Sequence, residues 1–458
     1  MIYSKNDVKD IKIAYVGGGS RGWAWTLMND LAKAEDLSGV VSLYDIDYEA
    51  ALHNETIGNK ICANWKYVAA KSIGDALTGA DFVIISILPA TFDEMEYDVH
   101  APEKYGIYQS VGDTTGPGGL LRAMRTVPMI RLIAREIKQF CPNAWVINYT
   151  NPMAICVKTL YTEFPEIKAF GCCHEVFGTQ KLLSQALEEV HGIQGAQREE
   201  ICVNVVGINH FTWFTNAYYK DIDLFETYRR FVDKYYETGF DRGGHANWAN
   251  NSFSSAARVR FDLFRRFGYI AAARDRHLAE FCNRDEYLTD PETVKHWTFG
   301  LTTVAWRKND LKKRLEKSQR LLSGEETFKL HDSGEEGVHQ IRALLGLTKL
   351  VTNVNLPNRG QIENLPLGSV VETNAVFSTN SVIPVMAGKL PDRIFEKVAT
   401  VNRENDRAVE AAFSQSLSLC CEVFCEGHLV KDLTMEQRKA LFTEMYEGTK
   451  KYLAAYKE

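Results

Sequence analysis

The chain has 458 residues, of which 45% are hydrophobic and 24% charged, and its formal net charge is -6. This length predicts two or three domains, and the composition is that of an ordinary globular protein. The charge leaves no basic excess to neutralise phosphates, so we expect no nucleic-acid partner. No apolar run approaches the roughly 20 residues that cross a bilayer, and no apolar secretory core follows the N-terminus, so we also expect no membrane partner.

The first predicted strand, IKIAYV from Ile11, ends in a glycine-rich turn with the spacing G-x-G-x-x-G. Gly17 allows a tight strand-to-helix turn, Gly19 lets the backbone approach a pyrophosphate, and Gly22 permits close packing of helix and strand. The helix that follows presents free N–H groups and a positive dipole end to the phosphates. The predicted dinucleotide contacts in this turn are Gly17, Gly18, Gly19 and Gly22.

The second predicted strand, VVSLYD, ends at Asp45, which lies 23 residues beyond Gly22. An acid about 20 residues beyond such a turn binds the adenosine ribose hydroxyls in dinucleotide-binding domains. Because no arginine adjoins Asp45 in the sequence, it favours NAD over NADP. The alternative interpretation is a glycine-rich turn followed by a surface aspartate.

Strand-like and helix-like patterns alternate through the first 170 residues, with further strands at DFVIISIL, AWVINYT and IKAFGC and helices near 50–63 and 120–140. The alternation predicts right-handed βαβ units and therefore an α/β fold with a doubly wound parallel sheet of the Rossmann type. Ligands bind beyond the carboxyl ends of such strands. These ends carry residues 17–22, 45, 86–89, 148–152 and 172–175, among which Ser86 and Asn148 are further predicted cofactor contacts.

Beyond residue 195 the pattern changes, and we predict a dinucleotide-binding domain over residues 1–195 and an α+β catalytic domain over residues 196–458. The segment EEICVNVVGINHFTWFTNAYY is typical of one long alternating strand. Helices are predicted over 224–236 and 252–267, within WRKNDLKKRLEKSQRLLSGEE and from Arg393 onward, with a strand at GSVVETNAVFS. No linker separates the halves, so we expect them to pack together around an active-site cleft.

Ten cysteines scattered through so long a chain are not a disulfide framework. We therefore expect free thiols in a reducing, cytoplasmic compartment. Cys173 lies at the end of one predicted strand and His210 ends another, and a thiolate with an imidazole suits manganese, iron, cobalt, nickel or zinc. Two protein ligands leave positions open for substrate oxygens. From spacing alone, a buried structural cysteine and a hydrogen-bonded core histidine are the favoured alternative.

Three other segments contain candidate site groups. GDTTGPGGLLRA is a glycine-rich loop that enters a helix, and it forms either an anion-binding turn or a plain N-cap. Asn151, in TNP, is either a ligand contact or a turn residue before a helix. ARDRHLAEF concentrates Asp275, Arg276, His277 and Glu280 in one short helix, and the alternative is a solvated helix face.

Taken together, these segments resemble glycoside hydrolase family 4, the NAD-dependent and metal-dependent glycosidases, over nearly the whole chain. The resemblance implies that Cys173 and His210 bind a divalent metal ion, most simply Mn²⁺, beside NAD. It also implies a lactate/malate dehydrogenase-like fold and homodimers or homotetramers, although those dehydrogenases lack the cysteine and histidine motifs. The matching motifs are GGGSRGW, YDID, SILP, GPGG, INYTNPM, CCHE, GINHF, DRHLAEF, VNVNLPNRGQIENLP and VVE.

The motif Cys173-His174-Glu175-Val176 is similar to that of the α-galacturonidase subgroup of this family. Other subgroups carry Cys-His-Ser, Cys-His-Gly or Cys-Asp there and act on other α-glycosides, glucuronides or 6-phosphoglycosides. The resemblance therefore implies hydrolysis of small α-uronides of the oligogalacturonide type in carbohydrate metabolism. The alternatives are the same chemistry on a glucuronide, galactoside or glucoside, a dehydrogenase that accumulates NADH, and a non-catalytic NAD sensor.

The family's mechanism differs from the two-carboxylate scheme of most glycosidases. NAD⁺ takes a hydride from C3 of the sugar, and the resulting ketone acidifies the C2 proton, which a base removes. The metal ion binds O2 and O3 and stabilises the enediolate while the leaving group departs from C1. Water then adds to the unsaturated sugar, and NADH returns the hydride.

This chain departs from the family at the base, because several members use a tyrosine in the segment aligned with ARDRHLAEF, which contains none. Asp275 and His277 are the two candidate replacements. His174 stands where the phosphoglycosidases carry an aspartate proposed as general acid, and a histidine can donate a proton near pH 7. Arg276 is the candidate partner of a uronate carboxylate. The predicted substrate contacts are Asn151, Glu175 and Arg276.

Overall fold

The computed structural model describes residues 1–240 and 255–457. Within these ranges the strands are β1 (Ile2–Tyr3), β2 (Val8–Val16), β3 (Leu37–Tyr44), β4 (Trp65–Ala70), β5 (Phe82–Ile85), β6 (Trp145–Asn148), β7 (Lys168–Gly171), β8 (Ile201–Ile208), β9 (Phe211–Tyr219), β10 (Ile222–Asp223), β11 (Ile270–Ala271), β12 (Leu350–Pro357), β13 (Val370–Ser378) and β14 (Ser381–Pro384).

The α-helices of the same ranges lie between and beyond these strands. They are α1 (Trp23–Lys33), α2 (Tyr48–Ile61), α3 (Ile73–Leu77), α4 (Phe92–His100), α5 (Gly116–Phe140), α6 (Met153–Glu163), α7 (Glu175–His191), α8 (Leu224–Tyr235), α9 (Arg258–Phe267), α10 (Asp275–Glu280), α11 (Arg284–Tyr287), α12 (Pro291–His296), α13 (Val304–Ser323), α14 (Gly337–Leu344), α15 (Asp392–Ser414), α16 (Leu417–Glu426) and α17 (Met435–Thr449).

The main sheet has the strand order β14-β13-β12-β7-β6-β5-β2-β3-β4, with β1 paired to β2. The strands from β7 to β4 are all parallel, and their order reverses between β2 and β5, so the predicted doubly wound sheet is confirmed. Both faces of β2 are covered, because Ile13 and Tyr15 pack into one hydrophobic cluster and Ala14 and Val16 into another. The carboxyl ends of these strands therefore meet at one edge of the sheet.

Strands from the second half of the chain extend this sheet. β12 pairs antiparallel with β7 through Asn355 and Gly171, and β13 and β14 follow it, also antiparallel. The predicted boundary at residue 195 falls between α7 and β8, but it does not divide the sheet. Residues of β12 and β13 are thereby placed next to the end of β7, where Cys173 lies.

The segment predicted as one long strand is an antiparallel hairpin of β8 and β9, with Ile208 opposite Phe211. The prediction of a continuous strand is wrong because the chain reverses at Asn209 and His210. Gly207 has a φ of 138°, and a Cβ there would overlap the carbonyl oxygen of Phe211, so this close reversal requires glycine. His210 is consequently a turn residue and not the last residue of a strand.

Most of the other predicted elements are present with shifted ends. The helix predicted near 120–140 begins earlier, at Gly116, and includes part of the GDTTGPGG segment. The helix predicted over 252–267 begins later, at Arg258, because residues 255–257 are not helical, and residues 252–254 lie outside the described ranges. All ten cysteines are unpaired, as expected. No helix among the described residues is both long enough and apolar enough to cross a membrane.

Candidate active site

The glycine-rich turn joins β2 to α1 and packs closely on its neighbours. Gly17 has a φ of 99°, and a Cβ there would overlap the carbonyl oxygen of Ser86. A Cβ on Gly18 or Gly19 would lie 2.8 or 2.7 Å from the nearest side-chain carbon. Only glycine fits at these three positions, so the turn presents bare backbone, which the close approach of a pyrophosphate requires.

Helix α1 begins directly after this turn. Gly22 is its N-cap residue, and Trp23 N donates a hydrogen bond to Ser20 Oγ at 3.2 Å. No acidic side chain lies in the first turn of α1, and the structure describes all residues of this turn. The positive end of the helix dipole is therefore not neutralised from within α1, and it fits an anionic phosphate.

Asp45 follows β3 and lies against the turn. Its Oδ2 accepts a hydrogen bond from Gly19 N at 2.8 Å, and its Oδ1 accepts one from Asp47 N at 3.0 Å. Burial raises the pKa of Asp45, while nearby Arg21 acts to lower it. No arginine adjoins this acid in the sequence, but in the fold Arg21 of the turn is near enough to interact with it electrostatically. Ile46 is 94% exposed, and an exposed apolar side chain here suits an adenine ring.

Ser86 and Asn148 follow or end β5 and β6, but they differ in availability. Ser86 is half-buried beside Gly17 and remains a candidate cofactor contact. Asn148 is fully buried, donates from Nδ2 to Thr150 O at 3.0 Å, and accepts at Oδ1 from Thr150 N at 3.2 Å. The amide of Asn148 therefore closes the turn after β6, and its contact with the cofactor stays a prediction.

Asn151, three residues farther on, has an acceptor available. Its carbonyl oxygen accepts a hydrogen bond from Arg122 Nε at 3.0 Å. Its side-chain Oδ1 is buried and receives no hydrogen bond from any residue that the structure describes. Leaving such an acceptor unpaired costs about 1–3 kcal/mol, so a sugar hydroxyl is a fitting donor for it.

The end of β7 meets the β8–β9 hairpin where Cys173 contacts Asn209, the residue before His210. Asn209 forms a side-chain hydrogen bond with the Cys173 thiol, and both Cys173 and His210 interact electrostatically with Glu175. Burial, with the carboxylates of Glu372 and Glu175, raises the pKa of the Cys173 thiol well above its usual value. Burial lowers the pKa of His210 to about 4, so its ring is neutral near pH 7.

These two side chains fit the donor set of a divalent transition-metal ion. His210 Nδ1 lies 3.5 Å from Thr114 Oγ1, which leaves the lone pair of a neutral imidazole available at Nε2. The buried Cys173 thiol needs a cation beside it to ionise. In residues 1–240 and 255–457, no group of three or more His, Cys, Asp or Glu side chains could hold a metal ion. Two protein ligands leave coordination positions that oxygens of substrate or water can fill.

Glu175, the first residue of α7, is the central anion of this region. Its Oε1 lies 3.8 Å from His174 Nε2 and 3.7 Å from His277 Nε2, and its Oε2 accepts from Arg274 N at 2.9 Å. Burial acts to raise the pKa of Glu175, but His277 and Arg274 hold it well below its usual value. A carboxylate here suits a sugar hydroxyl rather than a uronate group. We refer to Cys173, His174, Glu175, His210 and His277 as the Cys–His cluster.

The two candidate bases on α10 face different surroundings. The His277 ring centroid lies 4.3 Å from that of His210, and burial together with His210 holds the pKa of His277 well below its usual value. His277 Nδ1 is buried and has no hydrogen-bond partner in the described ranges. Asp275 is fully buried, accepts from Arg260 N at 3.1 Å, and lies 3.8 Å from Arg260 Nε. Asp275 thus holds the first turn of α9.

Arg276 lies in a buried region that contains several cations. Its Nη1 donates to Thr302 Oγ1 at 2.9 Å, and Ser110 Oγ donates to its carbonyl oxygen. Burial lowers the pKa of Arg276 to about 10, and the nearby guanidinium groups of Arg274 and Arg307 act in the same direction. Clustered guanidinium groups favour an anionic ligand, as the predicted role of Arg276 requires.

Asp113, in the loop before α5, is a site residue that the sequence analysis missed. It accepts a hydrogen bond from Thr114 Oγ1 at 3.0 Å. Burial acts to raise the pKa of Asp113, but Arg122, Arg307 and His210 keep it below its usual value. The GDTTGPGG loop therefore brings a carboxylate towards His210, which disfavours the predicted anion site. The sequence signal that could have identified this site residue was the aspartate between Gly112 and Gly116.

His174 connects the Cys–His cluster to the glycine-rich turn. Its Nδ1 lies 3.0 Å from Glu335 Oε1, and its ring centroid lies 6.1 Å from that of Trp23, the first residue of α1. Burial acts to lower the pKa of His174, but Glu335 and Glu175 raise it above its usual value. Glu335 was also missed, because nothing local in the sequence connects it with His174.

Comparison with known proteins shows sequence similarity along the whole chain. Residues 12–189 match the family described as Family 4 glycosyl hydrolase, and residues 205–430 match its C-terminal domain. The α-galacturonidase of Thermoanaerobacterium saccharolyticum is 61% identical over 100% of this chain and 99% of its own length.

Solved structures share the fold over nearly all of the chain. A Bacillus subtilis protein assigned as a glucosidase, lplD, is 48% identical with a TM-score of 0.91, and the match covers 96% of this chain and 100% of that one. A 6-phospho-beta glucosidase of Thermotoga maritima, solved with manganese, NAD⁺ and glucose-6-phosphate, has a TM-score of 0.76 at 21% identity, covering 96% of this chain and 99% of that one. The second likeness is one of fold.

Proposed function

The chain belongs to glycosyl hydrolase family 4, and we propose that this glycosidase hydrolyses α-D-galacturonides with the help of NAD and a divalent metal ion, Mn²⁺ in the first instance. The observation that carries the proposal is its full-length likeness to an α-galacturonidase. The motif Cys173-His174-Glu175-Val176, set among buried cations, supports the same substrate. The dimer or tetramer and the cytoplasmic location stay predictions.

Two separate groups of residues suit the two cofactors. The glycine-rich turn, α1 and Asp45 would hold NAD, while Cys173 and His210 would hold the metal ion. When bound, NAD exchanges a hydride with C3 of the sugar and the metal ion polarises the neighbouring sugar oxygens. Asn151 Oδ1 and Glu175 would accept hydrogen bonds from sugar hydroxyls and orient the ring.

We assign His277 as the base that takes the C2 proton. Its low pKa keeps the ring neutral and able to accept a proton, and it stacks against His210, a proposed metal ligand. Asp275 is the weaker candidate, because its Oδ1 already accepts a hydrogen bond from Arg260 N and lies near the Arg260 guanidinium group. His174 would donate a proton to the leaving group, since Glu335 and Glu175 favour its protonated form.

Isotope effects test the base. H277Q should lower kcat by about 10²–10⁴-fold and increase the primary isotope effect on C2-deuterated galacturonide, because proton removal becomes slower. D275N should lower the free energy of unfolding, because Asp275 holds the first turn of α9. Its isotope effect should stay near that of the wild type. Wild-type rates with H277Q would remove His277 from the mechanism.

A substrate panel tests the activity itself. Chromogenic α-galacturonide, α-glucuronide, α-galactoside and α-glucoside are each assayed with NAD⁺ and Mn²⁺, and each cofactor is omitted in turn. We expect hydrolysis of the galacturonide that requires both cofactors, without net NADH. Net NADH would indicate a dehydrogenase, while no turnover with bound NAD would indicate a sensor. Preference for the glucoside would favour the activity assigned to the similar Bacillus subtilis protein.

The same panel tests Arg276 as the partner of the uronate carboxylate. R276Q should lower kcat/KM for the galacturonide by about 100-fold, because truncating a buried charge pair costs about 2–5 kcal/mol. Its kcat/KM for the neutral α-galactoside should stay within about threefold of wild type, since that substrate lacks the carboxylate. Equal losses on both substrates would exclude this role.

A further inference from the structure

Glu372, on β13, is a buried carboxylate that connects the segments carrying Cys173 and His210. The residue is only 1% exposed. Oε2 accepts a hydrogen bond from Asn209 Nδ2 at 3.1 Å, and Asn209 precedes His210. Oε1 accepts from Asn353 Nδ2 at 2.6 Å, and the same amide donates to Cys173 O at 3.1 Å.

We infer that Glu372 is a positioning residue that fixes the separation of Cys173 and His210, and thereby sets the affinity of the site for its metal ion. The inference rests on the proposed function, since it takes those two residues as the metal ligands. The Glu372 carboxylate binds the amide of Asn209, next to His210, and the amide of Asn353, which contacts Cys173 O. A shift of either segment would therefore break a buried hydrogen bond. Partners of this kind typically change metal affinity by about 10–100-fold.

The sheet explains why a β13 residue reaches both ligands. Glu372 pairs with Asn355 of β12, and Asn355 also pairs with Gly171 at the end of β7, two residues before Cys173. Farther along β13, Asn374 Nδ2 donates to Val203 O of β8 at 2.7 Å. Strand β13 is therefore attached both to the end of β7 and to the hairpin that carries His210.

The surroundings of Glu372 also suit a nearby cation. The described side chains that donate hydrogen bonds to it are the neutral amides of Asn209 and Asn353, and burial together with nearby Glu175 raises the pKa of Glu372. A divalent ion between Cys173 and His210 would favour the ionised form of this carboxyl group, because electrostatic attraction in a dry interior is stronger than in water. Removing the charge should accordingly weaken the binding of the metal ion and leave NAD binding unaffected.

The test measures metal binding directly on the full-length protein. Free Mn²⁺ is followed by electron paramagnetic resonance during titration of the wild type, E372Q and C173A, and the NAD⁺ Kd is measured in parallel. Glutamine has one acceptor oxygen, so E372Q keeps one of the two amide bonds. We expect E372Q to weaken Mn²⁺ binding by about 10–100-fold with an NAD⁺ Kd within about twofold of wild type.

A matched control separates positioning from general stability. N374S removes a hydrogen bond from the same strand to the same hairpin, but at a point distant from His210 in the hairpin, so its Mn²⁺ affinity should fall far less than that of E372Q. The double variant E372Q/N209D reverses the direction of one hydrogen bond and restores the charge, and it should recover part of the lost affinity. If E372Q does not fold, N353S removes the link to Cys173 and should weaken Mn²⁺ binding in its place.

The outcomes distinguish the inference from its premise. Wild-type Mn²⁺ affinity in E372Q, with affinity lost in C173A, would overturn the role of Glu372 and leave the proposed metal site standing. Equal losses in E372Q and N374S would also overturn it, because the effect would then be a general loosening of β13. Wild-type affinity in C173A would remove the metal site itself and the inference with it.

Discussion

Gly17, Gly18 and Gly19 are consecutive in the sequence, whereas Cys173, His210 and His277 come from three segments that only the folded protein brings together. The glycine-rich turn is defined by backbone, and a Cβ has no room there. The Cys–His cluster is defined by side chains, and hydrogen bonds from buried polar neighbours hold it. The two regions touch where Trp23 lies beside His174. Because the two regions are built from different residues, a substitution in one region should leave the affinity for the other region's ligand unchanged.

Removing a proposed metal ligand should have the largest effect on activity, and it tests whether the two regions bind their ligands separately. C173A should lower kcat by at least about 10³-fold, because the metal ion supplies several kcal/mol of transition-state stabilisation. The NAD⁺ Kd should stay within about twofold, since the glycine-rich turn is unchanged. Steady-state kinetics and NAD⁺ titration check both expectations.

The neighbouring cysteine is the control for this substitution. Cys172 is buried like Cys173, but its thiol interacts with Tyr149 and Gln340. C172A should keep kcat within about threefold of wild type, apart from a small loss of stability. Similar kinetic losses in both variants would mean that packing, and not a metal ligand, explains the result.

The second test concerns the turn. G17A combines a left-handed backbone, costing about 1–2 kcal/mol, with an overlap on Ser86 that adds about 1–3 kcal/mol. Its free energy of unfolding should fall by the sum of these effects and its NAD⁺ affinity by more than about tenfold, while Mn²⁺ affinity stays near that of wild type. Urea unfolding and the two titrations provide the measurements.

Gly79 offers a matched control, because its φ is 71° and a Cβ added there would have no neighbouring atom within 4 Å. G79A should show only the backbone cost of about 1–2 kcal/mol and normal NAD⁺ affinity. If G17A bound NAD⁺ as tightly as G79A, the glycine-rich turn would not be the pyrophosphate site.

The same contrast explains how far the sequence could predict the structure. Residues 11–45 contain the strand, the turn and the acid in one continuous motif, so the parallel sheet and the dinucleotide side could be predicted locally. Arg21 was not expected beside Asp45, because the turn geometry and not the sequence brings them together. The hairpin at Asn209 was missed since alternation continues on both sides of the reversal.

The Cys–His cluster could be predicted only through the family resemblance, and its supports could not be predicted at all. Asp113, Glu335 and Glu372 reach the cluster from a loop, a second loop and a C-terminal strand. Their partners are set by sheet pairing and helix packing over long distances in the sequence. Asp275 and His277, two residues apart on one short helix, could be told apart only by their contacts in the fold.

The third test uses pH, because the region around the Cys–His cluster has buried ionisable groups. Glu280 Oε1 accepts hydrogen bonds from Val111 N and Gly112 N, both at 2.8 Å, and so holds the loop that carries Asp113. Burial raises the pKa of Glu280 from 4.5 to about 7. The folded state therefore favours the protonated form, which contributes stability below pH 4.5 that is lost as the pH rises through about 7.

This linkage amounts to about 3 kcal/mol, so the wild type should lose that much relative to E280Q between pH 4.5 and 8. The glutamine resembles the protonated acid and keeps an acceptor for the two N–H groups. Urea unfolding across this range measures the difference. E436Q, at an exposed position of α17, should follow the wild type. A constant difference between wild type and E280Q at every pH would contradict the assignment.

The smallest expected effect lies in the segment of residues 331–336, which connects the two regions. His331 N donates to Asn29 Oδ1 of α1 at 2.9 Å, and Ser333 Oγ donates to Asp30 Oδ2 of the same helix at 2.8 Å. Ser333 Oγ also accepts from Glu335 N at 3.0 Å. One hydroxyl thus joins the helix behind the glycine-rich turn to the residue that holds His174.

S333A should remove about 1 kcal/mol of stability and let Glu335 move relative to His174. Because His174 is the proposed proton donor, kcat should fall by about twofold to tenfold, and the loss should be larger for a poor leaving group than for an activated aryl one. S323A, whose hydroxyl donates to Arg320 O at 3.1 Å and accepts from Glu325 N at 3.4 Å at the exposed end of α13, should leave both rates unchanged. A loss independent of the leaving group would show that the 331–336 segment supports the fold without positioning His174.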